Sequence, residues 1–401
     1  MKAVKYIAIV VAIALFAGFL SIMFLPVDTF LAERKAKLAG YEIPEAYEDA
    51  LYRYYYNNLN PDEQLAYRII YASFFAKPGE AFPEKIVIPK LSNNELQKMY
   101  VALSYDNPEL YFLGNKCSMT SIGSVNYFVP QYLMVRSDYD ASWAKASAKI
   151  NEILAGAPAS TASDYDKELY IHDYLVQNCE YNESGSAMVY TMHGVLVDGS
   201  ANCEGYSRTA QYLLRQLGIY NRLAIGVAEG GTGTADGHMW NVVKIDGEFY
   251  NLDITWDDYA VVGSVDYPDN SPSHVYFNIS TKDIKSSHKA DDDDVWSECK
   301  ADSFGYFKNE GLLFSSFNYS SESTVSQAML KAMNNGYNSI ELAFTDKSVM
   351  DSSFNRLMNG GMYNIIVSNN RLVAPANRLS PTTVQYTMDE EKQIIRYFFE
   401  K

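Results

Sequence analysis

Two residues, Asp246-Gly247, constrain this chain more than any others, because they set the register of the runs on either side. They separate 238–245 from 248–255, both rich in Val, Ile, Tyr, Phe and Trp. Asp-Gly between such runs is a strong signal for a two-residue hairpin turn. With those residues as the loop, Ile245 opposes Glu248. Counting back along both strands puts His238 opposite Thr255 and Trp240 opposite Asp253. Opposed residues share a face, and side chains alternate with period two. His238 and Asp253 are then diagonal neighbours, with Cβ atoms roughly 6–8 Å apart, within reach of an imidazole–carboxylate hydrogen bond. A slip of one residue would send them to opposite faces.

Upstream of the hairpin, apolar residues fall at Tyr206, Ala210, Leu213, Leu214 and Leu217, followed by Gly218. That is helical spacing with a stop signal, and it places Cys203 at the first turn of the helix. The partial positive charge of a helix start favours the thiolate, the nucleophilic form of cysteine. Taken singly, the three residues read as a buried cysteine, a core histidine and a surface aspartate. Together they divide a known labour. The thiolate attacks a carbonyl, the imidazolium holds it and protonates the leaving amine, and the carboxylate fixes the imidazole tautomer.

At these residues the chain resembles the transglutaminase-like superfamily, in its bacterial extracytoplasmic branch. The resemblance is carried by Cys203-Glu204-Gly205-Tyr206, by Gly237-His238-Met239-Trp240-Asn241 and by the run from Tyr250 to Asp257. Met239 stands where a small residue is more usual. The family match implies Cys203 as nucleophile, His238 as general acid/base and Asp253 as the orienting carboxylate. It also implies an α+β, papain-like core, in which the cysteine-bearing helix packs on an antiparallel sheet. The helix containing Ile171-His172-Asp173-Tyr174-Leu175, with Tyr181 after it, looks like the family's lead-in. Tyr181 is a candidate second oxyanion donor beside the Cys203 backbone N–H, and Trp240 a candidate lining residue.

The length of 401 residues, 48% hydrophobic, allows two or three cores. A net charge of −16 without a basic patch argues against nucleic-acid binding. The four cysteines, Cys117, Cys179, Cys203 and Cys299, match no zinc spacing, so no metal and no cofactor is expected. With Cys203 free, at most one disulfide can form within the chain.

In chain order, Lys2 and Lys5 precede an uncharged run from Tyr6 to Leu25. Twenty helical residues span about 30 Å, the thickness of a bilayer core. Residues 1–26 therefore read as a single-pass anchor, or else as a signal that is cleaved. Residues 27–42 read as a charged stalk without a core face. Residues 43–156 read as an α-rich region, with Asp62 capping one helix, a capping box at Ser92 to Glu95, a strand pair near Tyr127 and Tyr132–Val135, and a long helix from Tyr139 to Ala155. Asp106-Asn107-Pro108 breaks a helix there and reads as packing.

The transglutaminase-like core is expected at 160–290. Its glycine-rich segment Gly226 to Gly237 reads equally as a mobile flap over the site or as a plain connection. His172, on the apolar face of its helix, reads as a core histidine, and the acidic run after Ala290 as a solvated linker rather than a calcium site. Residues 304–401 read as a small α/β sandwich, one sheet with helices on one side. Its strands are expected at 311–318, 338–344, 362–368, 382–387 and 393–399, and its helices at 323–335 and 347–358.

The functional expectation is a membrane-anchored, extracytoplasmic enzyme that performs thiol-dependent acyl transfer or hydrolysis on amide or peptide bonds. Hydrolysis is favoured over transfer to an amine, because water is the default acceptor. Its partners would be a protein or peptide substrate, cell-wall peptide included, and the membrane through the N-terminal helix. The alternative is a non-catalytic surface-binding module that keeps the fold.

Overall fold

The computed structural model describes residues 27–47, 49–229, 235–258, 271–303 and 305–401. The anchor expected at 6–25 lies outside them, as does the centre of the glycine-rich segment, 230–234. Among the described residues no helix is long and apolar enough to cross a membrane. Helices and strands are mixed throughout. The chain divides into two compact units, one up to Lys145 and one from Ala146.

In the first unit the expected stalk is a helix, Val27–Leu38, that buries Ala32 and Ala36. Both buried residues are alanines four apart, so the sequence shows no large apolar stripe. The next long helix, Pro61–Phe75, is capped by Asn60 and not by Asp62, since the Asn60 side chain accepts from Asp62 N–H and Glu63 N–H. Pro61 at the first helical position fixes that start. Ser92 and Glu95 form the expected capping box of helix Asn93–Asp106. A three-stranded sheet orders Ile86–Ile88 beside Val125–Tyr132, with Leu113–Ile122 on the other side. Asp106 and Asn107 tie this unit together. The fully buried Asp106 carboxylate accepts from the backbone N–H groups of Tyr55 and Tyr56, and Asn107 accepts from Arg53.

Among its described residues, the second unit contains two four-stranded sheets and a two-stranded one. The first is antiparallel and orders Glu248–Leu252, Ala235–Ile245, Asn221–Glu229 and His288–Ala290. Asp246 and Gly247 both have positive φ, the geometry a tight hairpin turn requires, and Ile245 pairs with Glu248 as expected. The second strand is shorter than expected and ends at Leu252. Asp253 turns its side chain back to accept from Trp256 N–H and so caps a short helix, Ile254–Asp257.

The other four-stranded sheet orders Leu313–Phe314, Ser339–Phe344, Ile394–Phe399 and Val384–Asp389. The strand expected at 311–318 is reduced to two residues. The strand expected at 362–368 is a helix, Met362–Asn369, whose buried Met362, Ile365 and Ile366 follow helical spacing.

Helices were expected on one side of this sheet, yet every residue of its two central strands is buried. Ile340, Leu342, Ile395 and Tyr397 join the apolar core with the helices. Glu341 belongs to the other set of alternating residues and meets the first half of the unit. Its carboxylate accepts from Ser273 Oγ (2.8 Å), His274 N–H (3.0 Å) and Arg396 Nη1 (2.7 Å), and Arg396 Nη2 donates to the Ser271 carbonyl (2.6 Å).

Candidate active site

Cys203 is the first residue of helix Cys203–Gln216. Asn202 caps the helix by accepting from Gly205 N–H at 3.3 Å. Gly205 is required at this spot, because a Cβ there would lie 2.6 Å from the Val189 carbonyl and 2.7 Å from the Ala201 Cβ. The helix buries Tyr206, Ala210, Leu213 and Leu214 of the stripe read from the sequence, while Leu217 caps its end and is only partly buried. It docks on strand Ala235–Ile245 through two polar contacts. Ser207 Oγ donates to the Met239 carbonyl at 2.9 Å, and Asn241 Nδ2 donates to the Ser207 carbonyl at 3.0 Å.

The hairpin and the turn after it bring His238 to Asp253. His238 Nε2 donates to Asp253 Oδ2 at 2.7 Å. The Cys203 side chain lies close enough to His238 to help raise its pKa. With Nε2 held by Asp253, Nδ1 is the nitrogen left for the thiol. Burial would discharge His238, but the Asp253 carboxylate beside it and the Cys203 contact outweigh burial and raise its pKa to about 10. Burial likewise opposes ionisation of Asp253, yet the His238 charge and hydrogen bond hold it well below the usual carboxylate range. The pair is therefore an imidazolium and a carboxylate at neutral pH.

Trp240 lies beneath this pair, fully buried. Its ring runs nearly parallel to the His238 ring at 6.0 Å, and its Nε1 donates to Asn251 Oδ1 at 3.0 Å. Tyr181 is close enough to Cys203 and Asp253 for both to raise its pKa, although burial and Glu183 raise it more. Its hydroxyl donates to Glu183 at 2.6 Å, a bond it would have to give up to bind an oxyanion. The four cysteines are free. Burial pushes Cys117 up to about 11, and Cys179 and Cys299 up to about 12, so these three are poor nucleophiles near neutral pH.

No sequence motif marks His288, yet it belongs to the same cluster. Its Nε2 donates to the same Asp253 Oδ2, at 2.9 Å, from strand His288–Ala290. A signal lies elsewhere, in the small residues of the strand between. Gly226 and Ala228 oppose His238 and Asp236 on one side, and Ala290 and His288 on the other. A Cβ on Gly226 would lie 2.1 Å from the Lys289 carbonyl, so no other residue lets that strand approach. Gly226 is therefore part of a strand, not of a flap.

Among the described residues, two sets of donors have atoms within 4.8 Å of one another, His238/Asp253/His288 and His172/Asp173/His274. In both, the donors already bond each other. In the second set, His172 Nδ1 and His274 Nε2 meet Asp173 Oδ1 at 2.9 and 2.8 Å, and His172 Nε2 meets Asp257 Oδ2 at 3.1 Å. Burial alone would discharge His172, but its two carboxylate partners raise it to about 9, while burial raises the Asp257 carboxyl against the pull of His172. Each set is complete as a hydrogen-bonded network.

Residues 151–254 match the Transglutaminase-like superfamily. No curated protein matches the chain. Several solved structures are similar over part of it, among them the following three. One is a TGase, at 17% identity over 46% of this chain and 53% of that one, with a TM-score of 0.25. Another is a candidate cysteine protease from Cytophaga hutchinsonii, at 15% identity over 35% of this chain and 61% of that one, with a TM-score of 0.23. The third is a candidate protease from Parabacteroides distasonis, at 13% identity over 34% of this chain and 35% of that one, with a TM-score of 0.19. The chain thus spans less than two thirds of each of these three.

Proposed function

Because the chain carries a transglutaminase-like domain over residues 151–254, we propose that it is a cysteine-dependent hydrolase of amide or peptide bonds, working through Cys203, His238 and Asp253. One observation carries the reading. A buried histidine is bonded at Nε2 to a buried carboxylate and stands near enough to a half-buried cysteine at a helix start for that cysteine to raise its pKa. Nothing in packing alone calls for that combination.

The chemistry derives from the positions. The Cys203 sulfur attacks the carbonyl carbon of a peptide. The oxyanion that forms faces the Cys203 backbone N–H, one of the first-turn amides that have no acceptor within the helix. His238 gives its proton to the leaving amine, and a thioester remains on Cys203. Water attacks the thioester, His238 takes one of the water's protons, and the carboxylic acid departs as the thiolate reforms. Asp253 keeps the proton on Nε2, so that Nδ1 is free for these transfers.

The substrate is proposed as protein or peptide, cell-wall peptide included. The chain is proposed to be exported and held by an anchor at about residues 6–25. A mature N-terminus near residue 27 in native protein would replace the anchor by a cleaved signal. For the enzyme itself, the test is release of free amine from a pool of extracellular peptides by the wild type and by Cys203→Ala. Amine released by the wild type and not by the variant is the expected result. Equal release by both would remove the proposal. Incorporation of an added primary amine, in place of hydrolysis, would turn the reading to transfer.

A further inference from the structure

We infer that His288 is a fourth member of this site, a positioning residue that locks the Asp253 carboxylate against His238. The inference rests on the proposed triad and goes beyond it. Asp253 is held at three points: by His238 and His288 on Oδ2, and by the Trp256 N–H on Oδ1 at 3.2 Å. The last aspartate torsion is broad and roughly two-fold, so a carboxylate with fewer donors can swing. The His288 bond pins Oδ2 at the one orientation that meets His238.

The environment of His288 says why a histidine stands there. Its ring is packed among aromatic rings, with centroids 4.6 Å from Trp256, 5.2 Å from Trp240 and 5.6 Å from Tyr276, and it is 4% exposed. A phenylalanine would suit such a box, whereas an imidazole is costly there unless its polar atoms are used. Both nitrogens are used. Nε2 faces the Asp253 carboxylate, which can only accept, so the proton sits there, and Nδ1 lies 2.8 Å from Ser287 Oγ, whose proton it can take in place of the Ile284 carbonyl at 3.3 Å.

Charge matters as much as direction. Burial lowers the pKa of His288, and the nearby His238 charge lowers it further, against the pull of Asp253. A neutral donor holds the carboxylate in place without cancelling the negative charge that keeps His238 protonated. A lysine or arginine in this position would compete with His238 for Asp253.

The test compares the full chain in three forms, wild type, His288→Phe and His288→Gln, by the rate at which iodoacetamide alkylates Cys203 at pH 7. The melting temperature of each is measured alongside. Phenylalanine keeps the ring volume and removes the donor. Glutamine keeps an N–H near the Nε2 position. We expect His288→Phe to alkylate about 10- to 100-fold more slowly, the range for losing a hydrogen bond to a charged group, and His288→Gln to recover most of the rate. A folded His288→Phe protein within threefold of wild type overturns the inference. So does a folded His288→Gln protein as slow as His288→Phe, which would leave only a packing role.

Should neither variant fold, the wild type decides, with ¹⁵N-labelled histidine read by NMR. A neutral His288 protonated at Nε2 is required, and protonation at Nδ1 instead overturns the inference. Failure of the triad itself looks different. Wild-type Cys203 would then alkylate no faster than the unfolded chain, whatever stands at 288.

Discussion

Replacing Asp253 by Asn changes one atom of the side chain, and the surroundings dictate how the site responds. Asp253 accepts three hydrogen bonds, from His238 and His288 at Oδ2 and from the Trp256 N–H at Oδ1. An amide has one acceptor oxygen. If that oxygen faces the imidazoles, the NH2 group meets the Trp256 N–H and the helix cap is lost, at about 1 kcal/mol. If the NH2 group faces the imidazoles, it can donate to both, provided each moves its proton to Nδ1. For His288 that proton can go to Ser287 Oγ, which is free to accept it. The second arrangement leaves every group satisfied and is preferred by roughly the value of the cap.

Its consequence is a neutral His238 with a proton aimed at Cys203, unable to act as a base. The lost charge acts in the same direction. His238 is lifted from 6.5 to about 10 by Asp253 and Cys203 against burial. At about 1.4 kcal/mol per unit, the net rise corresponds to on the order of 5 kcal/mol, left over after the opposing cost of burial. We therefore expect Asp253→Asn to slow Cys203 alkylation by iodoacetamide, and turnover, by about 10³- to 10⁴-fold. Circular dichroism should show the fold retained. A folded variant within tenfold of wild type would refute the tautomer argument.

Cys203→Ala should abolish turnover while the melting temperature stays within a few degrees, because a half-buried thiol contributes little packing; a collapse in stability would mean that the side chain is structural. Gly226→Ala should cost roughly 1–3 kcal/mol or more in urea unfolding, because its Cβ would collide with the Lys289 carbonyl, and an unchanged midpoint would contradict the strand register. Burial pushes the Glu168 carboxyl up to about 8, against the Asn278 hydrogen bond and the His172 charge. The folded chain therefore holds a proton there that the unfolded chain loses near pH ~4.3, and this contribution to stability falls as pH rises from ~4.3 to about 8, then levels off. In Glu168→Gln that segment of the pH–stability curve should vanish, and parallel curves for the two proteins would show Glu168 to be ionised throughout.

How much of the fold and site is legible in the sequence depends on whether the signal is local. Asp246-Gly247 needs only its neighbours, and Ile245 pairs with Glu248 as expected. The Cys203 helix is equally legible, because its buried apolar residues, Tyr206, Ala210, Leu213 and Leu214, recur every three to four residues. The strand after the turn is shorter than its β-rich composition suggests, since Asp253 caps a helix, a choice set by its own side chain. Met362–Asn369 reads as a strand because Ile365, Ile366 and Val367 are β-branched, but tertiary packing favours the helix. His288 is invisible for a different reason. It reaches Asp253 only once a separate strand has paired with Asn221–Glu229, and no motif in sequence marks such a meeting.

The Glu341–Arg396 pair sets an order of events for a chain growing from the ribosome. Glu341 holds Ser273 and the His274 N–H, and Arg396 holds the Ser271 carbonyl. The same segment then braces the turn that carries Asp253. Ser273 N–H bonds to the Asp257 carbonyl, and the Tyr276 carbonyl accepts from the Asp253 N–H. The thiol and the imidazole are thus translated long before the strand that buttresses their aspartate. A nascent chain would lack this brace behind Asp253 until Ile394–Phe399 had emerged and slotted in, so the triad proposed here could be held in place only after that strand had docked.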